Sequence, residues 1–216
     1  MIPKIIHWCW FGPNELTDLS KECIDSWGEH CPDYKVVKWT EKSIQKINSP
    51  FLKNALKKKQ WAYASDYVRL YALYHYGGIY LDTDMEVIKN LDRFLSDNLF
   101  FGREDDLHIS AGIIGAVKGS EVIKNLITYY DQPNLVNTFV NIPWVLTNEI
   151  KPSDNITLYD KKVFYPYNPN DSKAHKQLMF RSIGNETVAI HHWEKKWKLS
   201  FFNKISRKIH QLRFKK

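Results

Sequence analysis

Gly77-Gly78-Ile79-Tyr80-Leu81-Asp82-Thr83-Asp84 joins a helix stop, a short apolar strand and two carboxylates within a single run. Upstream, residues 61–76 have strong helical character. Tyr63, Tyr67, Leu70, Tyr71 and Tyr74 recur there at three- and four-residue spacing, and the two glycines cap the end. Ile79-Tyr80-Leu81 then reads as a strand running into the acidic pair. Further out, 5–11 is an apolar and aromatic run closed by Gly12-Pro13, which reads as a buried first strand. A helix is predicted over 16–30, stopped before Pro32, and a second strand over 34–39. Thr40 is placed to N-cap a short helix beginning at Glu41. Downstream, 99–102 and 109–117 read as strands, and 121–130 and 138–150 as helices. A strand-like piece covers 163–166, and 188–190 is a last strand before His191-His192-Trp193. Strands alternating with helices predict an α/β protein with a mixed, mainly parallel sheet.

The composition agrees with a globular chain. Its 216 residues are 44% hydrophobic and 25% charged, and the 14% aromatic content is far above that of disordered segments. No run of 18 apolar residues exists to span a membrane. The N-terminus lacks the long apolar region of a secretory signal. Cys9, Cys23 and Cys31 show no C-x-x-C spacing, so a reducing cytosol is the expected compartment. The net charge of +7 is unevenly spread. Nine of the 31 Lys and Arg residues lie between Lys195 and Lys216, where there is no Asp or Glu, leaving 22 basic against 24 acidic residues before them. Within that tail Phe202, Ile205, Ile209 and Leu212 recur at helical spacing, with Lys204, Arg207, Lys208, Arg213, Lys215 and Lys216 around them. The expected organisation is one domain over 1–198 and a basic amphipathic helix over 199–216. Such a helix suits an anionic membrane surface, not a protein wrapped in nucleic acid.

Residues i and i+2 of a strand point to one side, so Asp82 and Asp84 can face a common point beyond the strand end. Two hard oxygen donors there can bind Mg²⁺ or Mn²⁺, with phosphate oxygens completing the shell. The plainer reading is a solvated Asp-x-Asp turn. Asp66 and Arg69 share a face of the preceding helix, as an ion pair or as site residues. His7 and Trp8 are expected in the core and His75 in a structural role. Cys23, Cys31 and His30 lack zinc-ligand spacing.

Three segments in order carry a resemblance: Ile5-Ile6-His7-Trp8-Cys9-Trp10-Phe11-Gly12, Ala64-Ser65-Asp66-Tyr67-Val68-Arg69, and Gly77 through Asp84. Together they resemble the glycosyltransferase sugar-binding regions containing a DXD motif, which include capsular polysaccharide transferases and fungal α-mannosyltransferases of the family 32 type. The likeness covers about residues 2–117 and resumes at His191-His192-Trp193. It implies a GT-A, Rossmann-like fold, a nucleoside-diphosphate sugar donor (a UDP-sugar ahead of a GDP-sugar), Mn²⁺ or Mg²⁺, and retention of anomeric configuration. By that resemblance Trp10 stacks on the base, while Ser65, Asp66 and Arg69 meet the donor. Asp82 touches donor hydroxyls and the metal, and Asp84 ligates the metal. Related sequences often end His-His-Trp, two residues, then Ser-Trp. Here Lys196 stands in place of the serine, ahead of Trp197, and both are assigned to the donor. His192 is the chosen imidazole ligand, with His191 second. Glu104, Asp105 and Asp106 either line the acceptor site or form a solvated loop.

The expected function is sugar transfer to a glycan or polyprenol-linked acceptor in capsular, exopolysaccharide or cell-surface glycan synthesis. The expected place is the cytoplasm, peripheral to the inner face of the cell membrane. Two other readings stay open. One is a haloacid-dehalogenase-like phosphohydrolase with Asp82 as nucleophile. The other is a non-catalytic module whose tail binds membrane or nucleic acid.

Overall fold

The sheet is built around the strand that carries the acidic pair. In the computed structural model, which describes residues 1–151, 155–171 and 176–194, that strand is β3 (Gly78–Leu81). Before it come β1 (Ile5–Cys9), α1 (Asp18–His30), β2 (Lys35–Trp39), α2 (Pro50–Lys57) and α3 (Trp61–Tyr76). After it come β4 (Met85–Val87), β5 (Leu99–Arg103), β6 (Ile109–Ala116), α4 (Glu121–Tyr130) and α5 (Ile142–Glu149), then β7 (Thr157–Tyr159), α6 (Lys161–Phe164) and β8 (Ala189–His191). Six strands form one sheet in the order β2-β1-β3-β6-β5-β7. β1 pairs in parallel with β2 and β3, and β7 with β5, while β6 is antiparallel to both its neighbours. The sheet is mixed with a parallel majority of pairings, as the alternation predicts. The predicted tail helix over 199–216 lies outside the described residues.

Alternation along the strands sorts side chains into two cores. Ile79 and Leu81 join Ile6, Trp8, Trp27, Phe100 and Phe164 on one face. Tyr80 points the other way, with Phe101, Ile114 and the buried sides of α2 to α5. The second face is where Asp82 falls, two residues beyond Tyr80. His7 and Trp8 are both buried, as expected. His7 Nδ1 accepts from the Trp39 indole at 3.2 Å, so its Nε2–H donates to the Gly77 carbonyl at 2.9 Å. All three cysteines are buried and none is in a disulfide. Among the described residues no helix is long and apolar enough to cross a membrane.

Four local expectations are corrected. Thr40 does not cap a helix: its carbonyl accepts from Ser43 in a turn. The helix starts instead at Pro50, where the Ser49 hydroxyl accepts the Leu52 N–H and proline suits the first turn. The stretch over 163–166 is not strand: Val163 and Phe164 end α6, which Asp160 caps at its start by accepting from Lys162 N–H at 3.0 Å, and Tyr165 follows as its C-cap. The helix expected from residue 138 begins at Ile142, with Pro143 in its opening turn. The last strand is shifted to Ala189–His191 and pairs with β4 in a separate two-stranded sheet, Met85 opposite His191. That small sheet is outside the main one, so it can bring the C-terminal segment over the strand end.

The turn into β3 leaves no room for a side chain. Gly77 and Gly78 have φ of +67° and +111°, and a Cβ on Gly78 would stand 2.6 Å from the Ile5 carbonyl oxygen. Gly78→Ala is expected to cost at least about 1–3 kcal/mol from the backbone conformation alone. A urea denaturation midpoint unchanged from that of the wild-type chain would contradict this account.

Candidate active site

The site grows from α3 and the end of β3. On α3 Ser65, Asp66 and Arg69 face inward and are buried. The Arg69 guanidinium lies over the Tyr80 ring at 4.4 Å. Its Nη2 pairs with Asp66 Oδ1 at 2.9 Å, and its Nη1 reaches Asp82 Oδ1 at 3.2 Å and donates to the Ala111 carbonyl at 2.7 Å. Asp82 Oδ1 also accepts from the Tyr80 hydroxyl at 3.0 Å, and its backbone N–H donates to Gly112. The other Asp66 oxygen accepts the N–H of Ile142 at 3.3 Å, placing this carboxylate at the positive end of α5.

Asp84 is held by the C-terminal segment. Its carbonyl accepts from His192 N–H at 2.9 Å and its Oδ2 from Glu194 N–H at 2.8 Å. Trp193 adopts φ of +57°, a left-handed turn between those two contacts. Its indole donates to the Tyr167 carbonyl at 2.9 Å and its ring sits 4.3 Å from that of His191. His191 Nε2 is 3.3 Å from Asp84 Oδ1. One ligand atom each from Asp82, Asp84 and His191 falls within 4.8 Å of the others, and His191 Nδ1 is buried without a hydrogen-bond partner. Two carboxylates and an imidazole, each with a ligand atom so close to the others, fit a divalent cation such as Mn²⁺ or Mg²⁺.

The structure thus corrects the choice of imidazole. His192 turns away, its Nε2 2.7 Å from Glu86 Oε2, and His191 takes the position beside the acidic pair. Neighbours on β8 face opposite ways, and the pairing of His191 with Met85 decides which one enters. A cavity of about 350 Å³ gathers Trp10, Ser65, Asp66, Arg69, Asp82 and Asp84 with His191 and Trp193. Trp10 is half-buried at its edge, its indole donating to Asn14 at 2.7 Å. Lys196 and Trp197 lie outside the described residues. Glu104 lines the cavity too, whereas Asp105 holds His108 and Asp106 pairs with Lys161 at 2.8 Å.

Sequence reasoning missed Tyr80, the Ala111 carbonyl, Ser110 and the Ile142 N–H. Tyr80 had a signal, being two residues from Asp82 on one strand. The others come from segments whose approach nothing local announces.

Burial raises the Asp66 carboxyl to about 7 against the pull of Arg69. Burial also raises Asp82, with Arg69 opposing and Asp84 adding to the rise. For His191 burial works against the imidazolium, but Asp84, Asp82 and Glu104 together outweigh it and the net direction is upward. These shifts share one origin: several acids crowd one water-poor space.

Removing Arg69 leaves Asp66 and Asp82 without their counter-charge. Arg69→Ala is therefore expected to destabilise the chain by about 3–5 kcal/mol. Calorimetry showing an unaltered melting temperature would refute that role.

With the geometry in place, comparison with known proteins is informative. Residues 17–101 match the family described as glycosyltransferase sugar-binding region containing DXD motif. Inositol phosphoceramide mannosyltransferase 3 of Schizosaccharomyces pombe is 35% identical over 136 residues, which are 58% of this chain and 37% of that protein. The chain therefore spans well under two thirds of that relative's length. An uncharacterized glycosyltransferase of Acanthamoeba polyphaga mimivirus is 29% identical over 80% of this chain and 76% of its own length. Among solved structures, the glycosyltransferase GlyE of Streptococcus pneumoniae superposes with a TM-score of 0.57 at 14% identity, covering 96% of this chain and 60% of that one. At that identity the likeness speaks for the fold alone, and the fold is GT-A. Residues 17–101, with Asp66, Arg69, Asp82 and Asp84 among them, are thus similar to the glycosyltransferase sugar-binding regions that contain a DXD motif.

Proposed function

We propose that the chain transfers a hexosyl group from a nucleoside-diphosphate sugar to a glycan or lipid-linked acceptor hydroxyl, with retention of configuration. The observation that carries the reading is the meeting of Asp82, Asp84 and His191 in one cavity with the Asp66–Arg69 pair and Trp10. Trp10 offers a ring face to the base. Ser65 and Asp66 are placed to meet donor hydroxyls. Arg69 fixes Asp66 and Asp82 so that neither reorients as charge develops. Asp82, Asp84 and His191 would hold a divalent cation, whose charge would offset that of the departing diphosphate. In a front-side displacement the bond from the anomeric carbon to the diphosphate oxygen breaks and a bond to the acceptor oxygen forms on the same face. The acceptor proton passes to the departing diphosphate. The chain's own contribution is position and charge.

The phosphohydrolase reading asks Asp82 to be a free nucleophile. Its Oδ1 is engaged by Arg69 and Tyr80, which argues for a fixed ligand instead. The fungal relative is a mannosyltransferase by name, which makes a mannosyl donor one candidate, so GDP-sugars stand beside the UDP-sugars that the sequence resemblance favours.

Asp84→Asn keeps an acceptor oxygen for the Glu194 N–H but removes the charge. Release of UDP or GDP from sugar donors with Mn²⁺ is expected to fall beyond the roughly 10–100-fold cost of losing an outer-shell partner, with the melting temperature nearly unchanged. Undiminished turnover would remove Asp84 from the metal site.

We also propose that the basic segment over 199–216 holds the chain at the anionic inner face of a cell membrane, beside a polyprenol-linked acceptor in surface-glycan synthesis. Each basic residue at such a surface contributes about 1 kcal/mol. Flotation with liposomes should need anionic lipid and the residues after Lys198, and should fade as salt rises. Equal flotation of full-length chain and a chain ending at Lys198 would overturn this.

A further inference from the structure

A second cavity, of about 340 Å³, adjoins the first, and Glu104 lines both. Ser110 on β6 faces the first cavity and Tyr165, just after α6, faces the second. Burial raises the pKa of both Tyr165 and Glu104 and Ser110 opposes the rise, and the Tyr165 hydroxyl accepts at 3.0 Å from the N–H of Ile113, on the same strand. A Cβ on Gly112 would stand 3.0 Å from the Tyr165 hydroxyl and 3.6 Å from Asp82 Oδ2, so the two groups flank the same glycine. Whatever fills the second cavity therefore lies next to the acidic pair, on the side of Glu104.

The lining states what that occupant is. Among the described residues, Lys161, Lys162 and Arg181 are matched by Glu104, Asp171 and Glu186, so their charges balance. A phosphate or sulfate site concentrates positive charge, and a cation site concentrates carboxylates. Donors and acceptors in equal supply, set against the rings of Tyr165 and Tyr167, suit an uncharged ligand rich in hydroxyls. The volume falls in the usual range for small-ligand pockets. Asn168 stiffens the boundary, donating to the Glu104 carbonyl at 3.3 Å and accepting from Asn170 N–H at 2.9 Å. Beside Arg181 on the rim stands Phe180, 96% exposed, an apolar face that no core contact explains.

We propose that the second cavity is an acceptor subsite for a neutral saccharide ring. The acceptor then spans two rings, one in the second cavity and the other beside Glu104 with its reacting hydroxyl toward Asp82. This rests on the glycosyl-transfer reading above and adds the acceptor's class and placement.

The test uses the full chain, Mn²⁺, and UDP- and GDP-hexoses. Methyl hexosides are compared with the matching disaccharides of the gluco, galacto and manno series as acceptors. The acceptor KM is expected to drop about tenfold or more from one ring to two, a tenfold step being about 1.4 kcal/mol. In Arg181→Ala and Glu186→Ala, both exposed positions, one-ring and two-ring acceptors should become equivalent. Donor turnover that no saccharide accelerates, equal KM for one and two rings, or an advantage that survives both substitutions would overturn the subsite and leave donor use standing. Failure to turn over any donor would overturn the transfer reading itself.

Discussion

A buried guanidinium holds this site together. Arg69 is taken out of water, and a cation in that position is tolerable only if carboxylates and carbonyls replace its hydration. It finds Asp66 on its own helix, Asp82 at the end of β3 and the Ala111 carbonyl on β6. One side chain thereby ties helix α3 to two adjacent strands. Rotation of Asp82 would break its bonds to Arg69 and Tyr80 together, so its second oxygen keeps a fixed direction. The rigidity of the acidic pair follows from this crosslink more than from the strand itself.

Asp84 is fixed from the other side. Its backbone and carboxylate both receive N–H groups from residues that follow β8, and that strand is held in place by β4, immediately after the acidic pair. The chain leaves the main sheet at Asp82, makes a short turn and builds a separate two-strand clasp. The return leg of the clasp delivers His191 and Trp193. The left-handed backbone at Trp193 is a strained feature for a bulky residue, and it sits where the chain must redirect to aim the Glu194 N–H at Asp84.

Much of this is legible in the sequence. The spacing of the tyrosines in α3, the glycine stop and the Ile79-Tyr80-Leu81 alternation are local signals, and local signals fix which face Asp82 takes. Asp66 and Arg69 were legible for the same reason, being three apart on one helix. What was not legible depends on pairing over long sequence distances. Whether His191 or His192 enters the site is set by the register of β8 on β4, and a one-residue slip would exchange them. The Ile142 N–H reaches Asp66 from another helix. Thr40 misled because a hydroxyl before an acidic residue marks a turn as well as a helix start, and Ser43 closes the turn.

The charge balance of the cavity gives the strongest reason to couple donor and metal. Among the described residues, Asp66, Asp82, Asp84, Glu104 and Glu194 line it, against the guanidinium of Arg69 and the imidazole of His191. Arg69 is already committed to two of those acids. No lysine among the described residues reaches the cavity. A diphosphate entering alone would add negative charge to a space that already pushes Asp66, Asp82 and Glu104 toward their protonated forms. On the proposed reading, a divalent cation on Asp82 and Asp84 would reverse the sign of the field where a donor's phosphates would lie. The acids that would repel a bare donor would then favour one that arrives as a complex with its metal.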